Sequence, residues 1–313
     1  MKYAKHNTMN QNQKTILIDS SNLLHRVVWI AESVKADVNP SYIFLTSVKK
    51  YADKFNTSNI YSVWDKRLVP TEKNYRETIS GGEYKGNRDK KRNEAVYKHE
   101  QLTSDILTTL GIRNIYPGVL EGDDVIAWLC SKIQGEKIIV SADQDMLQLI
   151  DNKTTVYSPI KDIIINNKNF QQITGVERNQ FIRYKALMGD KSDNIPGLPK
   201  CGPKTAVRLI SECPDDKLLL AKLGKKTLEP YFRNLKLVDL EYGIKKHPGD
   251  IKIYNEQYNT LKKTNVCFDK FKTMCSTYNM SKILDNMHIW REAFGRKELA
   301  NTLESIVNSL NIR

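Results

Sequence analysis

The sequence is short of several features that would assign it quickly. Its five cysteines (Cys130, Cys201, Cys213, Cys267, Cys275) are odd in number and widely spaced. Neither they nor the five histidines form a C-x-x-C or H-x-x-x-H pair, which argues against a zinc site or a disulfide framework and fits a reducing, cytoplasmic setting. No stretch approaches eighteen consecutive apolar residues, so no transmembrane span is expected. The opening MKYAKHNTMNQNQK has charge but no apolar run; it does not read as a secretory signal, and residues 1–14 are expected to be a polar tail. There is no G-x-S-x-G elbow, and the Walker-like GLPKCGPKT lacks both a Gly directly before its Lys and a preceding apolar strand.

Acidity is also in short supply overall. The 313 residues carry a formal charge of +13, which points to a polyanionic partner, nucleic acid before a membrane surface. With 40% apolar residues the chain can still bury a large core. Short β-branched runs at TILIDSS, NIYSVWD, IRNIYPG, EKIIVSADQD and TTVYSPI read as strands. Helical stretches at 41–55, 93–110 and 123–133 alternate with them, which predicts an α/β body with a mainly parallel sheet over 15–180. From about 181 to 313 the pattern turns to helices and Gly/Pro-rich turns, among them NQFIRYKALMG, KTAVRLIS and EPYFRNLKLVDL.

The scarce acids are not scattered. Asp19, Asp65, Asp143 and Asp145 stand at the C-terminal ends of three predicted strands, the edge where open parallel sheets bind ligands. Glu121, Asp123 and Asp124 open a predicted helix, and Asp190 and Asp193 lie in GDKSDNIPGLPKCGPKTA. Singly, each has an ordinary explanation: acids in a first helical turn complement the macrodipole, and an aspartate after a strand caps or turns. Together, up to nine carboxylates on one edge repel unless cations lie among them. All-oxygen ligation selects Mg²⁺ or Mn²⁺, and several acids suggest two ions, as in phosphodiester hydrolysis. The segment GEYKGNRDKKR is the one concentrated basic run, with Tyr84 beside Lys85; it suits single-stranded nucleic acid and offers Lys85 and Arg88 to a scissile phosphate.

On these motifs the chain resembles the flap endonuclease and 5′→3′ exonuclease family, most of all its stand-alone phage-type members, from about Ile16 to Leu240. IDSSNLLHR is similar to the first acidic motif, with Arg26 in the place of a basic residue; VWD carries the second acid; and EYKGNRDKKR resembles the base of the family's helical arch, here about 70–105. LEGDDVIA, VSADQDMLQL and LMGDKSDNIPG resemble the remaining acidic motifs. The resemblance implies metal ligation by all nine acids, scissile-phosphate contacts from Lys85 and Arg88, and base stacking by Tyr84. It also implies a helix–three-turn–helix at about 185–211 that grips duplex DNA through Lys185, Gly197, Gly202, Lys204 and Thr205, with a bound potassium ion. Lys200 departs from the family by replacing the first Gly of the turn, which puts that geometry and the potassium site in question and leaves direct phosphate contact by Lys200 as the alternative.

The expected function is thus a divalent-metal-dependent, structure-specific 5′ nuclease of DNA flaps and junctions, and of RNA–DNA hybrids, working as a monomer beside replication proteins in the cytoplasm (the host's, if phage-encoded). A PIN-type ribonuclease and a non-catalytic junction binder remain the alternatives.

Overall fold

A computed structural model describes residues 14–34, 38–67, 72, 74–86, 90–261 and 264–295, without the side chains of 90–93. Arg88, most of the expected N-terminal tail and the segment ANTLESIVNSL lie outside the described residues.

Six strands form one sheet: β1 (Lys14–Asp19), β2 (Ile60–Val63), β3 (Arg113–Ile115), β4 (Glu136–Val140), β5 (Thr154–Ser158) and β6 (Ile163–Ile165), in the order β3-β2-β1-β4-β5-β6. The first five are parallel and β6 closes one edge antiparallel, as the mainly parallel α/β reading requires. The central strands alternate between two apolar layers, because successive side chains leave opposite faces. Ile16, Ile18, Ile60, Ile138 and Val140 enter one core, whereas Leu17, Tyr61, Val63, Ile139 and Val156 enter the other. Strand order reverses between β1 and β4, so their C-terminal ends flank a crevice that no crossover fills.

The helices are α1 (Ser20–Val34), α2 (Pro40–Phe55), α3 (Tyr75–Ile79), α4 (Lys90–Thr109), α5 (Gly122–Lys132), α6 (Phe170–Thr174), α7 (Phe181–Met188), α8 (Pro203–Glu212), α9 (Asp216–Lys222), α10 (Lys225–Val238), α11 (Leu240–Lys246), α12 (Pro248–Leu261), α13 (Phe268–Thr277), α14 (Ser281–Asp285) and α15 (Met287–Phe294). Local chemistry sets their ends. In α2, Asn39 accepts from the Ser41 N–H at 2.9 Å, Pro40 occupies the first turn, and Asn56 takes the left-handed cap at φ 52°.

The change of element type near 180 is real, but the cores do not follow it. Phe271, Trp290 and Phe294 complete the layer built on α1 and α2, and Tyr231, Leu237 and Tyr254 complete the layer around α5. Among the described residues no helix is long and apolar enough to cross a membrane.

Candidate metal centre and nucleic-acid interface

The predicted acids gather at the β1/β4 crevice, and local hydrogen bonds aim them. Asp19 ends β1, and its carboxylate accepts from the Asn22 N–H at 3.1 Å and from Ser141 Oγ at 2.7 Å across the crevice. The Asp65 backbone N–H donates to Ser21 Oγ, and its carboxylate accepts from the Gly122 N–H at 2.8 Å, which ties β2 to the start of α5. Asp143 accepts from the Asp145 N–H at 2.8 Å. Burial pushes the Asp19 carboxyl up to about 7, with the charges of Asp65 and Asp143 adding to the rise. Burial likewise raises Asp123 well above the usual carboxylate range, reinforced by Asp19, Asp143 and Asp65 and opposed by Lys85. Asp143 is raised by burial and by Asp193. Asp19, Asp123 and Asp143 are thus all raised, and the charge of Asp65 contributes to the rise of the first two.

This donor set fits a hard divalent cation. It consists of carboxylate oxygens alone, drawn from three strand ends and a helix start, and the groups destabilise one another when ionised without a cation. Among the described residues no three acidic, His or Cys side chains already converge at metal-ligand distance, so the carboxylates are neighbours rather than a closed coordination shell.

The other acids are differently placed. Asp124 is fully buried, and both its oxygens are taken by Arg76, at 2.7 and 2.8 Å. Asp124 also accepts from the Glu121 N–H at 3.0 Å in a reciprocal capping box. The metal-ligand role expected of Asp124 does not fit this geometry; its carboxylate organises the helix start. Glu121 accepts from Lys85 Nζ at 2.6 Å, Tyr84 Oη at 2.8 Å and Arg76 at 3.3 Å. Burial would raise its pKa, but Lys85 and Arg76 outweigh that and hold it at about 2. Arg76 went unassigned in the sequence, where it is one basic residue near a basic run. Here it is 1% exposed and donates through Nε to the Leu237 carbonyl as well. Helix α11 presses so close that a Cβ at Gly243 would lie 2.8 Å from the Tyr75 ring and 3.0 Å from Asp124 Oδ1.

Two DNA contacts inferred from the resemblance are corrected in the same way. Tyr84 is 6% exposed and its hydroxyl donates to Glu121 and, at 2.9 Å, to Asp193, so its ring is packed inside rather than offered to a base. Lys185 is 3% exposed and bridges Asp145, at 2.8 Å, and Asp190; it is an internal ion pair and not a duplex contact. Burial lowers the Lys185 pKa, but those two carboxylates reverse the shift and hold it protonated. Burial would likewise raise Asp190, which Lys185 instead holds below the usual range. Asp193 stands behind the basic segment, where the Lys85 N–H donates to its carbonyl at 3.0 Å. Arg26 lies a helical turn and more from Asp19, in a small pocket with Tyr51 and Tyr157.

A groove of about 790 Å³ leads from Asp143 past Asp190 to the turn carrying Lys200 and Gly202. Its floor requires glycine twice. A Cβ at Gly189 (φ 74°) would lie 2.3 Å from the Gly197 nitrogen, and one at Gly197 would lie 2.2 Å from the Met188 carbonyl oxygen. Gly202 is different: a Cβ there meets nothing within 4 Å, so its smallness has no internal cause. Lys200 sits at φ 60°, taking the left-handed backbone that the expected glycine would adopt freely. Lys200 and Lys204 are exposed and Thr205 is half-buried, opening the Pro203–Glu212 helix.

Half-buried Glu100 on α4 is an acid that the sequence reading did not assign. Burial and the charge of Asp65 push it up to about 7, and only the packing of α4 over the sheet brings the two together.

Comparison with known proteins agrees with this fold. The family model described as "5′-3′ exonuclease, N-terminal resolvase-like domain" matches residues 14–175, and "5′-3′ exonuclease, C-terminal SAM fold" matches residues 176–245. A 5′-3′ exonuclease of Buchnera aphidicola subsp. Schizaphis graminum is 33% identical over 287 residues, covering 85% of this chain and 97% of the relative. The flap endonuclease Xni of Shewanella loihica is 30% identical over 243 residues, covering 75% and 92%. Among solved structures, a T5 5′-exonuclease with bound zinc superposes with a TM-score of 0.68 at 20% identity, covering 80% of this chain and 99% of that one; at that identity the likeness is one of fold.

Proposed function

The chain belongs to the 5′-3′ exonuclease family, and from that premise we propose that it is a divalent-metal-dependent, structure-specific 5′ nuclease of DNA. The observation that carries this reading is the group of mutually repelling carboxylates at the β1/β4 crevice with Lys85 beside it.

In this reading Asp19, Asp65, Asp123 and Asp143 hold the divalent ions, with Glu121, Asp145, Asp190 and Asp193 around them; Mg²⁺ is the natural ion, with Mn²⁺ able to replace it. Bound there, two such ions supply the positive charge that activates a water and steadies the leaving oxygen of a phosphodiester. The protein's own groups do the rest. Lys85, 19% exposed, pairs with Glu121 and opposes the rise of Asp123, and in this reading it neutralises the scissile phosphate. Arg88, three positions further along the sequence, is assigned the same role.

The exposed turn with Lys200, Gly202, Lys204 and Thr205 holds the duplex beyond the cut. Gly202 leaves the backbone at the start of α8 open to a phosphate, which the N–H groups of a first helical turn favour; a potassium ion bound at this turn would be held by backbone carbonyl oxygens. The groove from Asp143 to this turn then spans the junction between single strand and duplex, with 5′ flaps as the principal substrate and RNA–DNA hybrids as a second.

The test is a 5′-flap DNA labelled separately at each end and incubated with and without Mg²⁺. Cutting at the junction, abolished by chelation and by Asp143→Asn, is the expected result. Release of mononucleotides alone would make the activity exonucleolytic. Tight binding without cleavage in Mg²⁺ or Mn²⁺ would replace the reading with that of a junction-binding protein.

A further inference from the structure

The family models end at residue 245, and the next helix, α12, sends a carboxylate back under the acidic edge. Asp250 is 4% exposed. It accepts from the backbone N–H groups of Gly118 at 2.9 Å, Val119 at 3.1 Å and Leu120 at 3.0 Å, and from Tyr254 Oη at 3.0 Å. These three peptides run directly into Glu121 and the first turn of α5. The fit is tight: a Cβ at Gly118 would lie 2.5 Å from Asp250 Oδ1.

We propose that Asp250 is a positioning residue of the metal centre, which clasps 118–120 and so fixes the direction in which Glu121 and Asp123 leave the start of α5. The inference rests on the nuclease reading above. Three consecutive N–H groups turned onto one carboxylate form an anion-binding concavity, and charge-assisted bonds of this kind are both strong and directional. The loop has no regular structure of its own between β3 and α5, so without this clasp its peptides would lose their internal partner and the helix start would lose its anchor. Groups that orient metal ligands without touching the metal commonly cost about 10–100-fold in affinity or activity when changed.

The experiment compares the full-length protein with Asp250→Asn, Tyr254→Phe and Gly118→Ala. Four quantities are read: amide exchange at 118–120 without metal, Mg²⁺ binding by calorimetry, and kcat and KM on the 5′-flap DNA. Asp250→Asn keeps the shape of the side chain and removes its charge. It is expected to speed exchange at the three amides, weaken Mg²⁺ binding by about 10–100-fold and lower kcat in proportion, with KM for DNA unchanged. Gly118→Ala, which pushes the same carboxylate away from outside, should reproduce this, and Tyr254→Phe should move each quantity less. If exchange at 118–120 rises while Mg²⁺ affinity and kcat stay at wild-type values, the clasp serves the fold alone and the inference is overturned. A wild-type chain that does not cut flap DNA in Mg²⁺ or Mn²⁺ would instead overturn the nuclease reading, and this inference with it.

Discussion

The acidic edge has two halves that obey opposite rules. Around Asp124, Glu121 and Asp190 each carboxylate meets a cation: Arg76 forks onto Asp124, Lys85 reaches Glu121, and Lys185 reaches Asp190. Around Asp19, Asp123 and Asp143 the carboxylates mainly meet one another, and burial with mutual repulsion raises their pKa values. The first half is an architecture complete in itself. The second is under electrostatic strain, which a bound cation or a proton relieves. Counting acids along the sequence cannot separate the halves; what separates them is which basic residue the fold brings opposite each acid.

The largest expected effect lies in the strained half. Asp19→Asn should cut Mg²⁺-dependent cleavage by about 10³-fold or more, the scale of the several kcal/mol a bound ion supplies to the transition state. The same change should raise the melting temperature of the metal-free protein, because a repelling charge is gone. Single-turnover rates and scanning calorimetry would read the two; a loss of activity under about tenfold would break the contrast. In the matched half the expectation inverts toward stability. Arg76→Met strands a buried carboxylate and should cost about 3–5 kcal/mol in denaturant unfolding, and adding Asp124→Leu should recover most of it by removing the second charge as well.

Acidity sharpens the same contrast. Asp19, at about 7 in the folded chain against an ordinary 3.8, binds a proton that the unfolded chain has released, and Asp123 and Asp143 shift the same way. In EDTA the protein should therefore lose stability as pH rises from about 4 to about 7, and Mg²⁺ should restore it at the upper end by binding the ionised form. Melting temperatures that climb through that window without metal would contradict the strained half. The smallest effect is expected at the turn: Lys200→Gly relieves the left-handed backbone and should stabilise by about 1 kcal/mol, while weakening duplex binding if the lysine contacts phosphate.

Much of this was legible in the chain. NIYSVWD and EKIIVSADQD end at the crevice because a β-branched run followed by polar residues fixes both the strand and the point where it stops, so Asp65 and Asp143 could be placed from their neighbours alone. The helices at 41–55, 93–110 and 123–133 fall within a few residues of α2, α4 and α5. Arg76, Glu100 and Asp250 could not be found, since each acts on a residue that is distant in the chain or lies across the sheet, and no local pattern marks such a pairing. Tyr84 and Lys185 show the converse. Their types suit nucleic acid, but burial, which composition does not report, turned both inward.

The completion of the first core by α13 and α15 bears on how the chain comes to be folded. The carboxylates at the strand ends are all in place once the segment through Asp145 has been made, but the layer over α1 and α2 waits for Trp290 and Phe294, and the loop before Glu121 waits for Asp250. Synthesis from the N-terminus therefore delivers these strand-end acids before their fastenings. Closure depends on contacts between residues more than two hundred positions apart, and contacts of such long range slow folding. In order of synthesis the acids precede the residues that fasten the layers around them, Trp290 and Phe294 on one side of the sheet and Asp250 on the other.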